Sequence, residues 1–376
     1  MRLLYQRNRG SKSPQLDKSS RKVICPQCGK KTFVNFLYAD GTPVADGECG
    51  RCDRKDKCRY HYPPREYFKD HQPLSENNRR ERYKPQRKTQ NQSYMPTFIN
   101  PNDMLATIRG YEFNNLAIFL HSVFDGLIGA QAVDAVLHRY AVGTTKDGKT
   151  CYWQIDERGK IRSGKIMAYN PTTGKRIKGY GGSNWAHSIM SDRYTDFKLE
   201  QAYFGTHLMR EADSRAAINN QQRKAMNIEG EFKPVIWLLE SEKAALITAL
   251  YLAWGGCTST FIPIATGGCE NFNPTDEAIR NQYHRLQVLK GRKVAIFPDE
   301  GKFDEWKSKA EKLKGFCSEV YISTIMERTL HPVKIDCEIE QGDGFDDILL
   351  RYIKTNRIDK LFNLHFYGYH GQWEIV

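Results

Sequence analysis

The sequence lacks a long uninterrupted apolar run. Its most apolar window, residues 235–254, is broken in the middle by Glu240, Ser241, Glu242 and Lys243, which a membrane-spanning helix does not accept. The first residues are polar and basic, without the apolar core of a secretory signal. Both absences argue against a membrane protein or an exported protein, and they predict a cytoplasmic location.

Cysteine is too sparse for a disulfide scaffold, because the chain has only 10 in 376 residues. Five of the ten nevertheless crowd into residues 25–58. In a chain without a secretory signal, such a cluster predicts metal ligands rather than disulfides, since the cytoplasm keeps thiols reduced.

Acidic residues are scarce at the start of the chain. Residues 1–95 contain 22 Lys and Arg but only 10 Asp and Glu, whereas the remaining residues contain 35 against 34. This asymmetry predicts a polyanion-binding region, with nucleic acid as the first candidate partner and an acidic membrane surface as the second. Residues 1–20 are predicted to form a basic tail and residues 69–95 a basic linker, which is either a passive tether or one that also contacts phosphates.

Residues 21–68 are predicted to form a zinc ribbon. Cys25 and Cys28 are separated by two residues and followed by a glycine, a spacing that lets two thiolates share one tetrahedral ion. The second half of the site is open, because Cys49, Cys52, Cys58 and His61 compete for the two remaining positions. Four protein ligands leave no place for water, so the predicted zinc is structural.

Cations and aromatic residues surround these cysteines. We expect phosphate contacts from the basic residues Lys30, Lys31, Arg51 and Arg54. The aromatic residues are interpreted either as stacking platforms for single-stranded nucleic acid or as the small core of the ribbon; they are Phe33, Phe36, Tyr38, Tyr60 and Tyr62.

The rest of the sequence is predicted to form two further domains. Residues 96–230 read as a small α+β subdomain, with helices from Asp103 and over residues 117–138 followed by a meander of three short strands. Residues 231–376 alternate apolar strands with helices, which is typical of an α/β domain with a parallel sheet. Its predicted strands are Val235–Leu239, Phe261–Ala265, 293–297 and 320–324, and its predicted helices are 242–254, 275–289, 304–313 and 345–353.

Acidic residues follow the strands of this last domain. Glu240 and Asp299 each come just after a strand, and Asp346 and Asp347 open the last predicted helix. Because the carboxyl ends of parallel strands share one edge, these carboxylates are expected to converge there and to hold Mg²⁺ or Mn²⁺ together with substrate phosphates. Gly267 and Gly268 would let a backbone approach the same place, and Lys243 would contact phosphates. Ordinary surface acids are the alternative interpretation.

Glu240 after an apolar strand, a glycine turn after the next, Asp299 after the third and a later acidic pair resemble the toprim domain. The order of zinc ribbon, linker, α+β subdomain and this domain resembles a bacterial-type primase. Gly164, Lys165 and Ile166 stand where that family lines its template and nucleotide groove, which implies that Lys165 binds phosphate.

A closer resemblance is to an uncharacterised primase-like family of bacterial mobile elements, carried by the motifs around Cys25, Cys52, Cys58 and Gly164. It implies that the zinc ligands are Cys25, Cys28, Cys52 and Cys58, with Cys49 and His61 as alternates.

One departure from the toprim pattern bears on activity. Primase toprim domains carry a second aspartate shortly after the first, and this chain has Gly301 there. The resemblance therefore leaves two main hypotheses and a third, weaker one. The first is a primase-type nucleotidyltransferase acting on single-stranded DNA, or on RNA, together with a replication helicase or relaxase. The second is a non-catalytic accessory that binds single-stranded DNA, and the third is a toprim nuclease.

Overall fold

The computed structural model describes residues 14–19, 21–38, 40–54, 57–70, 96–179, 183–190, 192–194, 196–282, 284–327, 337–366 and 373–375. The chain divides into two compact units, Met1–Ser93 and Tyr94–Val376. Most of the predicted basic tail (1–20) and nearly all of the predicted linker (69–95) lie outside the described residues, so both stay predictions.

The first unit is a small antiparallel ribbon. Its strands are β1 (Gln15–Leu16), β2 (Val23–Ile24), β3 (Lys31–Leu37), β4 (Gly50–Cys52) and β5 (His61–Tyr62), followed by helix α1 (Pro64–Asp70). Strand β3 lies at the centre and pairs with β1, β2 and β4. Gly50 permits the close pairing of β3 and β4, since a Cβ there would lie 2.4 Å from the Phe33 ring.

The second unit begins with helices α2 (Pro101–Leu105), α3 (Asn115–Ile128) and α4 (Ala130–Arg139). The single helix predicted over residues 117–138 is wrong, because Gly129 interrupts it with φ of 83° and ends α3. A meander follows, built from β6 (Val142–Thr144), β7 (Thr150–Ile155), β8 (Ile161–Met167) and β9 (Ser183–Trp185), with α5 (Ala186–Ile189) packed on β8. Helix α6 (Leu208–Ala225) then leads to the last domain.

The last domain contains a five-stranded mixed sheet. Its strands are β10 (Val235–Leu239), β11 (Phe261–Ala265), β12 (Lys293–Ile296), β13 (Glu319–Ser323) and β14 (Trp373–Ile375). Their order is β11-β10-β12-β13-β14, and the first four are parallel while β14 is antiparallel. The helices are α7 (Glu242–Trp254), α8 (Asp276–Arg280), α9 (Phe303–Glu311), α10 (Phe345–Lys354) and α11 (Ile358–Phe366).

The helix predicted over residues 275–289 is wrong in its middle. Helix α8 ends at Arg280, and a 3₁₀ turn begins again at Arg285. The break has a local cause: Asn281 adopts an extended backbone conformation, and the His284 side chain accepts a hydrogen bond from the Leu286 N–H, which starts the second turn. This break places Arg285 beside the α+β subdomain, where its guanidinium bonds to Gln201.

The α+β subdomain and the mixed sheet share one apolar core. The Tyr140 hydroxyl donates to the Pro263 carbonyl at 2.9 Å, and Phe204 forms a β-bridge with Ala265. Helix α7 is buried along most of its length, as expected for a helix that is apolar all round. Within the described parts of the chain, no helix combines the length and the apolar character that a membrane crossing requires. Lys165 of β8 bonds to Glu242 and to the Gly267 carbonyl, residues that come just after β10 and β11, and this places β8 at the carboxyl edge of the sheet.

Ser241 caps helix α7, since its hydroxyl accepts a hydrogen bond from the Ala244 N–H at 3.0 Å. Replacing Ser241 by alanine should lower the free energy of unfolding by about 1 kcal/mol, because it leaves that N–H without its acceptor. Urea unfolding measures this loss. Ser318→Ala, at an exposed serine, is the matched control and should leave the midpoint unchanged.

Candidate functional site

Four cysteines of the first unit converge. The Sγ atoms of Cys25, Cys28, Cys52 and Cys58 all lie within 4.8 Å of one another. Cys25 and Cys58 are 3.8 Å apart, and Cys28 and Cys52 are 3.9 Å apart. Four sulfur ligands at about 2.3 Å in a tetrahedron stand about 3.8 Å from each other. The thiols therefore fit a structural zinc ion.

The knuckle around Cys28 favours the thiolate form. Gly29 turns the chain with φ of 64°, which a side chain at that position would disfavour. A hydrogen bond from the Lys30 backbone N–H, together with the neighbouring thiols, lowers the pKa of Cys28 to about 6. The Thr32 hydroxyl, 3.2 Å from the Cys52 Sγ, likewise lowers the pKa of that thiol. Thiolate is the form that binds zinc.

The two alternate ligands lie apart from this cluster. Cys49 is fully buried, and burial raises the pKa of its thiol. His61 lies on β5, where its ring stacks on Phe36 with centroids 6.0 Å apart. Among the described residues, neither belongs to the convergent group.

The basic residues around the ribbon differ in exposure. Lys30 and Lys31 are exposed, while Arg51 and Arg54 are half-buried. Phe33 is 2% exposed and packs with Cys25 and Cys52, as the small-core interpretation of the aromatic residues predicts.

A second group of predicted site residues meets at the edge of the mixed sheet. The strand order reverses between β10 and β12, and Glu240 and Asp299 follow these two strands. Such a reversal opens a crevice at the carboxyl ends of the strands, where ligands of open α/β sheets bind. The Asp346 and Asp299 carboxylates flank Gly344, since a Cβ on that glycine would lie 2.8 Å and 3.0 Å from their Oδ1 atoms. We call Glu240, Asp299, Asp346 and Asp347 the acidic rim.

The rim carries crowded negative charge. The pKa of Asp299 is raised to about 8, first by burial and then by the carboxylates of Glu240, Asp346 and Asp347. Lys243, from the first turn of α7, partly offsets this charge: its Nζ lies 2.9 Å from Asp346 Oδ2 and 3.9 Å from Asp347 Oδ1. Hard carboxylate oxygens are the donors that Mg²⁺ and Mn²⁺ prefer. Among the described residues, however, the ligand atoms that all lie within 4.8 Å of one another are those of the four cysteines, and the carboxylates of the rim are not so closely grouped.

Gly301 adds no carboxylate to the rim. It has φ of 76°, a left-handed conformation that suits glycine, and it stands two residues after Asp299. The first acidic residue after Gly301 is Asp304, which is exposed in the first turn of α9. The rim therefore holds acids from three chain segments without the paired aspartates of the toprim pattern.

A cavity of about 230 Å³ adjoins the rim. Lys165 reaches into it from β8, and its Nζ donates to Glu242 Oε2 and to the Gly267 carbonyl, both at 2.9 Å. Gly267 and Gly268 have φ of 80° and 145°, so this turn requires glycine. The lining residues are Lys165, Met167, Tyr169, Arg176, Glu240, Ser241, Glu242, Lys243, Gly267 and Gly268.

Sequence reasoning missed Glu242 and Arg176. Glu242 is 2% exposed and neutralises Lys165, although in the sequence it is an ordinary acid in the first turn of a helix. Arg176 follows a turn of the meander, and no motif marks it. Only the packing of the subdomain on the sheet assigns them to the cavity.

Two family profiles match parts of the chain. Residues 13–73 match a family described as a zinc β-ribbon finger, and residues 114–238 match a domain of unknown function, DUF6371. No curated protein matches the sequence. The profile match over residues 13–73 and the convergent thiols together support a zinc-ribbon region there.

Solved bacterial primases are similar at low identity. The DnaG catalytic core is 10% identical with a TM-score of 0.32, covering 66% of this chain and 79% of that one. The zinc-binding and RNA polymerase domains of the Aquifex aeolicus primase are 12% identical with a TM-score of 0.33, covering 68% and 61%. A DnaG catalytic domain bound to ssDNA is 11% identical with a TM-score of 0.32, covering 69% and 82%.

Proposed function

We propose that this chain is a primase-like enzyme that binds single-stranded DNA and transfers nucleotides in a reaction that depends on Mg²⁺ or Mn²⁺. The observation that carries the proposal is the acidic rim at the switch point of the sheet, beside a cavity that is lined by three cations and two glutamates. By the resemblance of its motifs, its setting is the replication or mobilisation of a mobile element, with a helicase or relaxase as partner.

The residues of the rim and cavity suit this chemistry. Glu240, Asp299 and either Asp346 or Asp347 would hold the divalent cation, which would neutralise charge on the nucleotide phosphates when bound. Lys243 adds a fixed positive charge beside them. Lys165 and the backbone at Gly267 and Gly268 would position the phosphates, because positioning and electrostatics supply most of the catalysis in such transfers.

The zinc ribbon would support strand binding. We propose Cys25, Cys28, Cys52 and Cys58 as the zinc ligands, and Lys30, Lys31, Arg51 and Arg54 as contacts to backbone phosphates. Loose contacts of this kind give affinity without reading the base sequence.

Primer synthesis from labelled nucleoside triphosphates on a single-stranded DNA template tests the proposal. Glu240→Gln should lower product formation by about a hundredfold or more, since it removes a charged group from the cation site. The matched control is Asp304→Asn, an exposed acid outside the rim, which should retain full activity.

A second candidate function is strand binding without catalysis. Two observations favour it: Gly301 stands where a second aspartate is expected, and the Lys165 ammonium is already paired with Glu242. Wild-type protein that binds the template but yields no product with either cation would establish this function and overturn the first. Template cleavage without nucleotides would instead indicate a nuclease.

A further inference from the structure

Three arginines line a crevice on the second unit, apart from the acidic rim. Arg158 and Arg162 come from the turn and strand after β7, and Arg285 comes from the 3₁₀ turn that follows α8. The lining also includes Asp156, Glu157, Gln201 and His284. We call Arg158, Arg162 and Arg285 the arginine crevice.

Arg162 is buried but incompletely bonded. It is 6% exposed, and its Nε donates to Asp156 Oδ2 at 2.7 Å. Its Nη1 is buried and has no hydrogen-bond partner in the described structure. A buried guanidinium N–H without an acceptor is costly, so the site lacks one acceptor oxygen.

Among the described residues, Arg285 hydrogen-bonds to neutral groups, while the Glu200 carboxylate is near enough to interact electrostatically with both Arg285 and Arg162. The Arg285 Nη1 donates to two neutral amide oxygens, those of Gln201 at 2.9 Å and Asn271 at 3.2 Å. Its guanidinium also lies 5.8 Å from the centre of the Tyr203 ring. Within the described residues, no carboxylate lies close enough to form an ion pair with it. The Asp156 carboxylate is bonded to Arg162 and to two backbone N–H groups.

The crevice is small, with room of about 10 Å³. That space admits about one water-sized group, so it suits a single oxygen projecting from a larger anion rather than a whole small molecule. Arginine forks match phosphate oxygens in geometry and charge. The site therefore calls for a negative charge, a hydrogen-bond acceptor and a group small enough to enter the crevice. A non-bridging oxygen of a backbone phosphate has all three properties.

The residues around the arginine crevice are suited to contact single-stranded DNA. On one side, the Arg162 guanidinium and the Lys160 ammonium lie 5.0 Å and 5.8 Å from the centre of the Phe98 ring. Aromatic faces next to cations are what proteins use to hold unpaired bases and their phosphates. On the other side, Asn271 stands between the crevice and the cavity beside the rim: its Oδ1 accepts from Arg285, and its Nδ2 lies 3.5 Å from where a Cβ on Gly267 would stand.

We propose that the arginine crevice anchors a backbone phosphate of single-stranded DNA next to the cavity. The identity of the strand rests on the proposed function, whereas the anion site rests on the arginines alone. The phosphate oxygen accepts from Arg162 Nη1 and Arg285 and so completes their hydrogen bonding.

Fluorescence anisotropy of a labelled single-stranded DNA with the full chain tests this anchor. Arg285→Gln should raise the dissociation constant about tenfold, because it removes a charged hydrogen bond to phosphate. It should also reduce the dependence of log affinity on log salt by about 0.7, the value for one phosphate contact on a single strand. Arg285→Lys keeps the charge and should restore most of the salt dependence.

Arg210→Gln is the control for loss of one positive charge, since Arg210 is exposed on α6. Equal weakening by Arg285→Gln and Arg210→Gln, or a fall in melting temperature by Arg285→Gln with unchanged affinity, would overturn the anchor. The same loss on an RNA strand of equal sequence supports a phosphate contact. Weakened binding by Arg285→Gln in a protein that makes no primers would uphold the anchor while rejecting the proposed enzyme.

Discussion

Replacing Cys58 by serine is expected to release the zinc ion and unfold the ribbon. The four convergent thiols form the centre of this unit, because Cys25 and Cys52 are buried together with Phe33 as its core. A unit with so few buried apolar residues depends on its metal for stability. Structural zinc contributes about 10–16 kcal/mol in small zinc domains, so losing one thiolate should shift the ribbon from folded to unfolded.

Cys49→Ser provides a matched control for the same experiment. Cys49 is as buried as Cys25, yet it lies outside the convergent group. This variant should keep one zinc per chain, while Cys58→Ser should fall close to zero. Zinc content by mass spectrometry and limited proteolysis of the full chain read out the two effects. Zinc loss in Cys49→Ser with retention in Cys58→Ser would show that the ligand set is wrong.

Without divalent cations, the second unit is expected to lose stability as the pH rises from about 4 to 8. Asp299 ordinarily has a pKa of 3.8 and in the folded chain has a pKa of about 8. The folded state therefore keeps a proton that the unfolded chain releases, and stability falls as the pH rises through that interval. Each unit of pKa difference corresponds to about 1.4 kcal/mol, so the loss should reach several kcal/mol.

Asp299→Asn should remove most of this pH dependence, because asparagine stays neutral in both states. Urea unfolding at pH 5 and pH 8.5, in buffer stripped of divalent ions but with zinc retained, measures it. Added Mg²⁺ should restore stability at the higher pH in the wild type and much less in Asp299→Asn. Asp304→Asn is the control, and it should behave as the wild type. A pH profile unchanged in Asp299→Asn would place the titration elsewhere.

Much of the fold could be predicted from local pattern. The four parallel strands follow continuous apolar runs such as Val235–Leu239, and Ser241 starts α7 as its type and position indicate. Errors came where one residue changes the backbone. Gly129 divides a helix that is apolar on both sides of it, and Asn281 ends α8 within a polar stretch. The periodicity of apolar residues does not reveal such breaks, because the residues on each side of the break still fit a helix.

The sequence alone determined the chemistry available to this protein. It determined the spacing of Cys25 and Cys28, the basic start of the chain, and the acids after β10 and β12, since these depend only on residue type and strand position. Convergence of those acids followed from one rule, that parallel strands end at a common edge.

Only the tertiary structure decided which groups meet across long separations. It paired Lys165 with Glu242 and brought Arg162 near Arg285, although more than 70 residues separate each pair in the chain. It also left Cys49 outside the group of convergent thiols. Such contacts depend on how the meander packs against the sheet and how β3 pairs with β4. Packing of that kind is a property of the whole core, which no short stretch of sequence encodes.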